Sequence, residues 1–223
     1  MPFRNRVDAG KQLAGVLSRY KDEHPIVLAL PRGGVPVGAE IARALNAPLD
    51  LLLVRKIGVP FHSELAMGAV VDGSAPLVVR NEDVIRLARV SEAEFAAIRD
   101  HELEEIKRRR ARYVGNRSHP DLKGRVVIVV DDGIATGATT RAALRAVRKQ
   151  EPNRLILAVP VAPTSTLEAL AREADEIICL EDYESFGAVG AYYQDFGQTS
   201  DEEVAALLAG SGGEASPARA GAH

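Results

Sequence analysis

Short, wholly apolar runs alternate along the chain with longer amphipathic stretches. Ile26–Leu30, Leu49–Val54, Val126–Val130, Arg154–Val159 and the run around Cys179 read as strands. In Val126–Val130 five β-branched residues follow one another without polar alternation, as a strand buried on both faces requires. Between these runs the apolar spacing turns helical. Leu13, Val16, Leu17 and Tyr20 share one face of a segment from Arg6 to Tyr20, and Ala142, Ala143, Ala146 and Val147 share one within Ala138–Gln150. A helix is also expected from the loop after Leu30 to about Leu45, and another over Thr166–Ala174. Strand, loop, helix and strand in repetition predict right-handed crossovers, hence an α/β, doubly wound, mainly parallel sheet flanked by helices.

Some segments break the rhythm. Val54–Ala66, with glycine, proline and polar residues, reads as irregular, and Met67–Val71 with Leu77–Arg80 reads as a hairpin through residues 72–76. Pro160–Pro163 is expected to end its strand. Ser91–Tyr113 is the longest predicted helix, opened by a Ser91/Glu94 capping box and supported by Glu104–Arg108 and Glu105–Arg109 pairs. Asp201 is expected to cap a short last helix. Residues 1–209 thus read as one domain, with a helical insertion over 81–117 and a small C-terminal hood over 181–200, and 210–223 as a disordered tail.

Composition narrows the class. With 223 residues, 46% hydrophobic and 26% charged, the chain is ordinary for a soluble globular protein. A net charge of −3 gives no reason to propose nucleic acid or an anionic membrane as partner. The Lys107–Arg110 run does not change that: between Glu92 and Arg112 six acidic and six basic side chains cancel, acids leading and bases trailing, so a solvated helix face is expected. One cysteine, Cys179, excludes an internal disulfide, fits a cytoplasmic location and reads as a core residue. No apolar run reaches membrane-spanning length, and the N-terminus lacks a signal-peptide core.

The chemistry concentrates after Val130. Asp131 and Asp132 sit at the strand's carboxyl end, and Gly133, Ala135, Thr136, Gly137, Ala138, Thr139 and Thr140 lead into a helix. Unpaired amides at a helix N-terminus attract an anion, and glycines allow close backbone approach. There is no Gly-Lys-Ser/Thr and no dinucleotide fingerprint. A phosphate cradle beside two acids suits a phosphorylated sugar, its phosphate in the loop and its diol on the acids.

The stretch Asp131-Asp132-Gly133-Ile134-Ala135-Thr136-Gly137-Ala138-Thr139 resembles the signature of the type I phosphoribosyltransferases. The resemblance implies that Asp131 and Asp132 hold the ribose hydroxyls of phosphoribosyl pyrophosphate (PRPP) and that the threonine loop holds its 5′-phosphate. It implies that Arg32, Gly33 and Gly34, after the first strand, contact pyrophosphate through an unusual peptide geometry. Val54-Arg55-Lys56 is similar to the opening of the mobile catalytic loop in orotate-type members, which gives Arg55 a pyrophosphate role and Lys56 a catalytic one. The fold implied is the type I one, the product pyrophosphate, the cofactor Mg²⁺ held mainly through substrate, with no protein metal site, and the assembly a homodimer. The 91–113 helix is then a dimerisation arm or a lid.

Residues 182–196 hold five of the ten aromatics. They either pack the sheet's edge or, by resemblance to the purine-type hood, offer Phe186, Tyr193 and Asp195 to a base. Where hypoxanthine-guanine-type enzymes carry an acid in the phosphate loop this chain has Ala135, so the nitrogenous acceptor stays open. A non-catalytic PRPP sensor is the alternative to a transferase.

Overall fold

A computed structural model describes residues 2–73 and 76–210. In chain order its elements are α1 (Arg6–Leu17), β1 (Ile26–Ala29), α2 (Gly34–Leu45), β2 (Leu49–Leu51), β3 (Val54–Val59), β4 (His62–Val71) and β5 (Leu77–Arg80). There follow α3 (Glu82–Leu87), α4 (Glu92–Val114), β6 (Val126–Val130), α5 (Ala138–Arg148), β7 (Arg154–Pro163), α6 (Thr164–Leu170), β8 (Glu176–Tyr183) and α7 (Asp201–Gly210). Short 3₁₀ turns occupy Ser18–Glu23 and Val189–Tyr192.

Five strands form an all-parallel sheet in the order β2-β1-β6-β7-β8. Its central strand shows why an unbroken apolar run was needed. Val126, Ile128 and Val130 join the core shared with α1, α2 and α4, whereas Val127 and Val129 join the core shared with α5. Both faces are covered, so both sets of alternate side chains are apolar. The chain leaves β1 toward β2 on one side, and β6, β7 and β8 extend on the other. The strand order therefore reverses between β1 and β6, and a crevice opens beyond their carboxyl ends, where open α/β sheets bind ligands.

The segment expected to be irregular is instead paired. β3 and β4 form an antiparallel hairpin turning at Pro60 and Phe61, and β5 completes a three-stranded second sheet. Register shifts around Gly58 break the alternation that would have marked β3 as a strand. The predicted strand Leu49–Val54 accordingly divides: its first three residues are β2, and Val54 opens β3 in the other sheet. β7 runs through Pro160 to Pro163, because its pairing with β6 ends at Ala158 and the proline breaks no bond on that side.

α4 carries the expected capping box at Ser91 and Glu94. Glu105 pairs with both Arg108 and Arg109, while Glu104 takes Lys107 rather than Arg108. Arg110 departs from the expected solvated face. It is 8% exposed and binds Asp50 of β2 at 2.9 Å and Asp72, just beyond β4, at 3.2 Å. One guanidinium thus ties α4 to both sheets. At α7 the cap is Ser200, whose hydroxyl accepts from the Glu203 amide at 3.0 Å, and Asp201 faces α4 instead. Gly210 closes α7, and the predicted tail beyond it, like Ser74 and Ala75 of the hairpin loop, lies outside the described residues.

Candidate active site

Two loops meet at the reversal of strand order. The Leu30 amide donates to Val130 O at 2.8 Å, holding the end of the first loop's strand against the start of the second loop. A cis peptide joins Pro31 to Arg32. Gly33 and Gly34 then press onto the acid pair: a Cβ at Gly33 would come within 1.9 Å of Asp132 Oδ2, and one at Gly34 within 3.0 Å of Asp131 Cα. Only glycines permit this approach.

The second loop is braced on its far side. Ile134 N–H donates to Val161 O at 3.0 Å, and Thr166 Oγ1 donates to Ala135 O at 2.8 Å. Gly137 begins α5 with φ of 72°, a left-handed conformation that suits glycine. Thr140 is buried, at 2% exposure, while Thr136 and Ala138 are exposed and Thr139 is partly so. The accessible hydroxyls at the helix start are therefore those of Thr136 and Thr139. Thr139 and Ala138 also line a groove of about 510 Å³ with Lys56, Asn81 and Arg141, which brings Lys56 to the threonine-loop side of the crevice. Arg55, the next residue, points elsewhere: its Nε binds Glu102 of α4 at 2.6 Å.

The acids have distinct surroundings. Asp131 accepts from the Asp132 amide at 2.9 Å. Burial, and then the neighbouring Asp132 carboxylate, push the Asp131 carboxyl well above the usual range. Asp132 has a cation of its own: Arg6 Nε, from the first turn of α1, lies 2.7 Å from its Oδ2, both side chains being largely shielded. The same guanidinium donates to Gly197 O at 2.6 Å and lies 3.8 Å from the Phe196 ring centroid.

Arg6 went unnoticed in the sequence because 126 residues separate it from Asp132. The one available signal was negative: positions 9 and 10 are alanine and glycine, so Arg6 has no acid at helical spacing.

The hood reaches the acids through Tyr193, whose hydroxyl donates to Asp132 O at 2.5 Å. Tyr193 is 6% exposed and packs on Phe3 and Phe196. Phe186 stacks on Tyr192, with centroids 4.7 Å apart. Asp195 accepts from the Gly197 amide at 3.2 Å and donates its own N–H to Arg4 O. Phe3 lies between Tyr192 and Gln194, hydrogen-bonded to both, so residues 3–6 and the hood form one unit beside Asp132. Cys179 is partly buried, and burial pushes its thiol up to about 12, which leaves it inert as a nucleophile. Among the described residues no three His, Cys, Asp or Glu side chains gather as a metal site. Asp132 is already paired with Arg6 and burial raises the Asp131 pKa, so a hard cation in this crevice would take its oxygen ligands mainly from a bound substrate.

Comparison with known proteins adds three findings. The family model described as phosphoribosyl transferase domain matches residues 3–195. Two curated proteins from strains of Mycobacterium tuberculosis, each named "Putative phosphoribosyl transferase", are 46% identical over 206 residues, or 92% of this chain. The chain spans about half of their length, 46%. The crystal structure of TT1426 from Thermus thermophilus superposes with a TM-score of 0.83 at 41% identity, covering 96% of this chain and 100% of that one.

Proposed function

The chain belongs to the phosphoribosyl transferase domain family, and from that premise we propose that it transfers the 5-phosphoribosyl group of PRPP to a nitrogenous acceptor of the nucleobase kind. The observation that carries the reading is the meeting of Asp131–Asp132, Gly33–Gly34 and the threonine loop at one reversal of strand order. A pentose 5-phosphate pyrophosphate has three groups to be held, and these three elements supply hydroxyl acceptors, close backbone and an anion-binding helix start.

In the transfer a bond forms between the acceptor nitrogen and the anomeric carbon. The bond from that carbon to pyrophosphate breaks, its electron pair leaves with pyrophosphate, and the acceptor nitrogen loses a proton. Catalysis of such a step rests on positioning and charge neutralisation. Thr136, Thr139 and the amides of Gly137 and Ala138 fix the 5′-phosphate. Asp131 and Asp132 orient the ribose hydroxyls, and Gly33–Gly34 with Arg32 hold the pyrophosphate. Lys56, from across the groove, meets the charge that develops on departure. A Mg²⁺ ion, if bound, would be held mainly through PRPP itself and would supply further charge neutralisation. Tyr193 positions Asp132 through its main-chain oxygen, and the rings around it flank the acceptor side.

One observation favours the sensor: Arg6 already occupies Asp132. Pyrophosphate release from PRPP and Mg²⁺ across a panel of bases and amines separates the two. Release with one acceptor, lowered on the order of 10²-fold by Asp132→Asn, establishes transfer. Saturable PRPP binding with no release for any acceptor establishes the sensor.

A further inference from the structure

The basic run of α4 separates on folding. Lys107 pairs with Glu104 at 2.7 Å, and Arg110 is withdrawn into the core. Arg108, Arg109 and Arg112 instead line a cavity of about 160 Å³ together with Arg32, Tyr113 and Asp201. Four guanidiniums and one phenol surround a single carboxylate.

Their internal partners do not balance them. Asp201 accepts from Tyr113 Oη at 2.6 Å and holds Arg112 at 2.7 Å, but Arg32 stands 3.7 Å away, beyond hydrogen-bond length. Glu105 serves Arg108 and Arg109 together, at 2.8 and 3.1 Å, and the pair holds its carboxyl down at about 2. Glu202 takes the other branch of Arg112 at 3.2 Å. With Glu105 and Glu202 included, four cations meet three anions. The guanidiniums remain 40 to 65% exposed on the side chain, leaving donors free of the carboxylates. Like charges held this close favour an anion between them. Guanidinium forks match phosphoryl oxygens, and a phosphoryl group offers more charge and more acceptors than a carboxylate. At roughly 30 Å³ per water the cavity has room for about five waters, the scale of one or two phosphoryl groups.

We propose that this cavity binds a phosphoryl polyanion of the pyrophosphate class, at a site separate from the Thr136–Thr140 loop and joined to the Gly33–Gly34 loop only through Arg32. The assignment depends on the phosphoribosyltransferase reading only for the source of the ligand, which is either pyrophosphate released by this chain or a polyphosphate from solution. An occupant draws Arg32 from Asp201 and so links the cavity to the candidate active site.

Calorimetric titration of the full chain with Mg²⁺·PRPP, and then with pyrophosphate and with tripolyphosphate while saturating Mg²⁺·PRPP occupies the Gly33–Gly34 loop, tests it. The Arg108→Gln/Arg112→Gln double variant is expected to lose at least tenfold in affinity for pyrophosphate and tripolyphosphate while keeping its PRPP affinity within twofold. Thr139→Ala is expected to do the reverse. Pyrophosphate binding tighter than tripolyphosphate identifies the product as the source, the opposite order identifies a solution polyphosphate, and both support the site. Wild-type polyanion affinity in the double variant overturns it, as does parallel loss of polyanion and PRPP binding. Because Arg112 also joins α4 to α7, the single variant Arg108→Gln provides a second measure, with a loss of about threefold expected and no loss overturning the site. Failure of PRPP to bind wild type, with polyanion binding intact, counts against the proposed function and leaves the cavity assignment standing.

Discussion

A buried carboxyl with another carboxylate beside it does not titrate as an isolated acid, and Asp131 is in that position. Arg6 lies 2.7 Å from Asp132, while burial and the Asp132 carboxylate oppose ionisation of Asp131. A raised pKa means that Asp131 keeps its proton to higher pH than a free aspartate. In that form it has lost both its charge and part of its capacity to accept from ribose hydroxyls. PRPP affinity is therefore expected to rise with pH through a window above the ordinary carboxylate range. Asp131→Asn is expected to flatten the profile, and titrations at a series of pH values in the presence of Mg²⁺ check both. Asp131 and Asp132 were legible in the sequence because no turn requires two acids in that place. Arg6 was not, since its role depends on a contact between chain segments that local spacing does not encode.

Among the elements, α4 shows what charge counting reveals and what it leaves out. The cancellation of acids and bases over 92–112 predicted a solvated helix face, and Glu104 with Lys107 and Glu105 with Arg108 and Arg109 pair on one. It gave no sign that Arg110 is buried, because that follows from Asp50 on β2 and Asp72 just beyond β4, buried carboxylates from two parts of the chain. Removing Arg110 takes the shared cation from two buried carboxylates and leaves them only the Arg117 guanidinium and the His119 ring, a loss of the kind that costs about 3–5 kcal/mol at most. Arg110→Ala is thus expected to lower the thermal midpoint by several degrees or more, whereas Arg108→Ala, on the exposed side, is expected to change it little. Differential scanning calorimetry of the two variants makes the comparison. The parallel strands were legible because burial on both faces demands continuous apolar residues. β3 was not, since its register shifts at Gly58 interrupt the period-two pattern. α3 is only six residues long, and its one cue was the cap at Asn81 followed by Glu82 and Asp83.

At the scale of the whole molecule, the sheet order sets the location of the candidate site, and residues 3–6 with residues 192–197, far apart in the chain, complete it. Alternating strand and helix patterns were enough to place both glycine-bearing loops at one edge of a parallel sheet. They carried no information on the hood, whose seat is defined by Phe3, Arg6 and Tyr193. Arg6→Gln is expected to accelerate amide exchange across residues 193–197 while leaving β6 protected, and hydrogen exchange read by mass spectrometry shows which region responds.

The Phe3–Tyr193 bridge and the Arg6–Asp132 ion pair also impose an order of events on synthesis. The first turn of the chain leaves the ribosome long before the segment around residue 193 exists to receive it. The parallel strands after β1 can pair as they are made, since each meets a neighbour already present. The clasp can close only after β8 is made, and a nascent chain stalled before residue 190 holds its acids without the hydrogen bond that Tyr193 donates to Asp132 O.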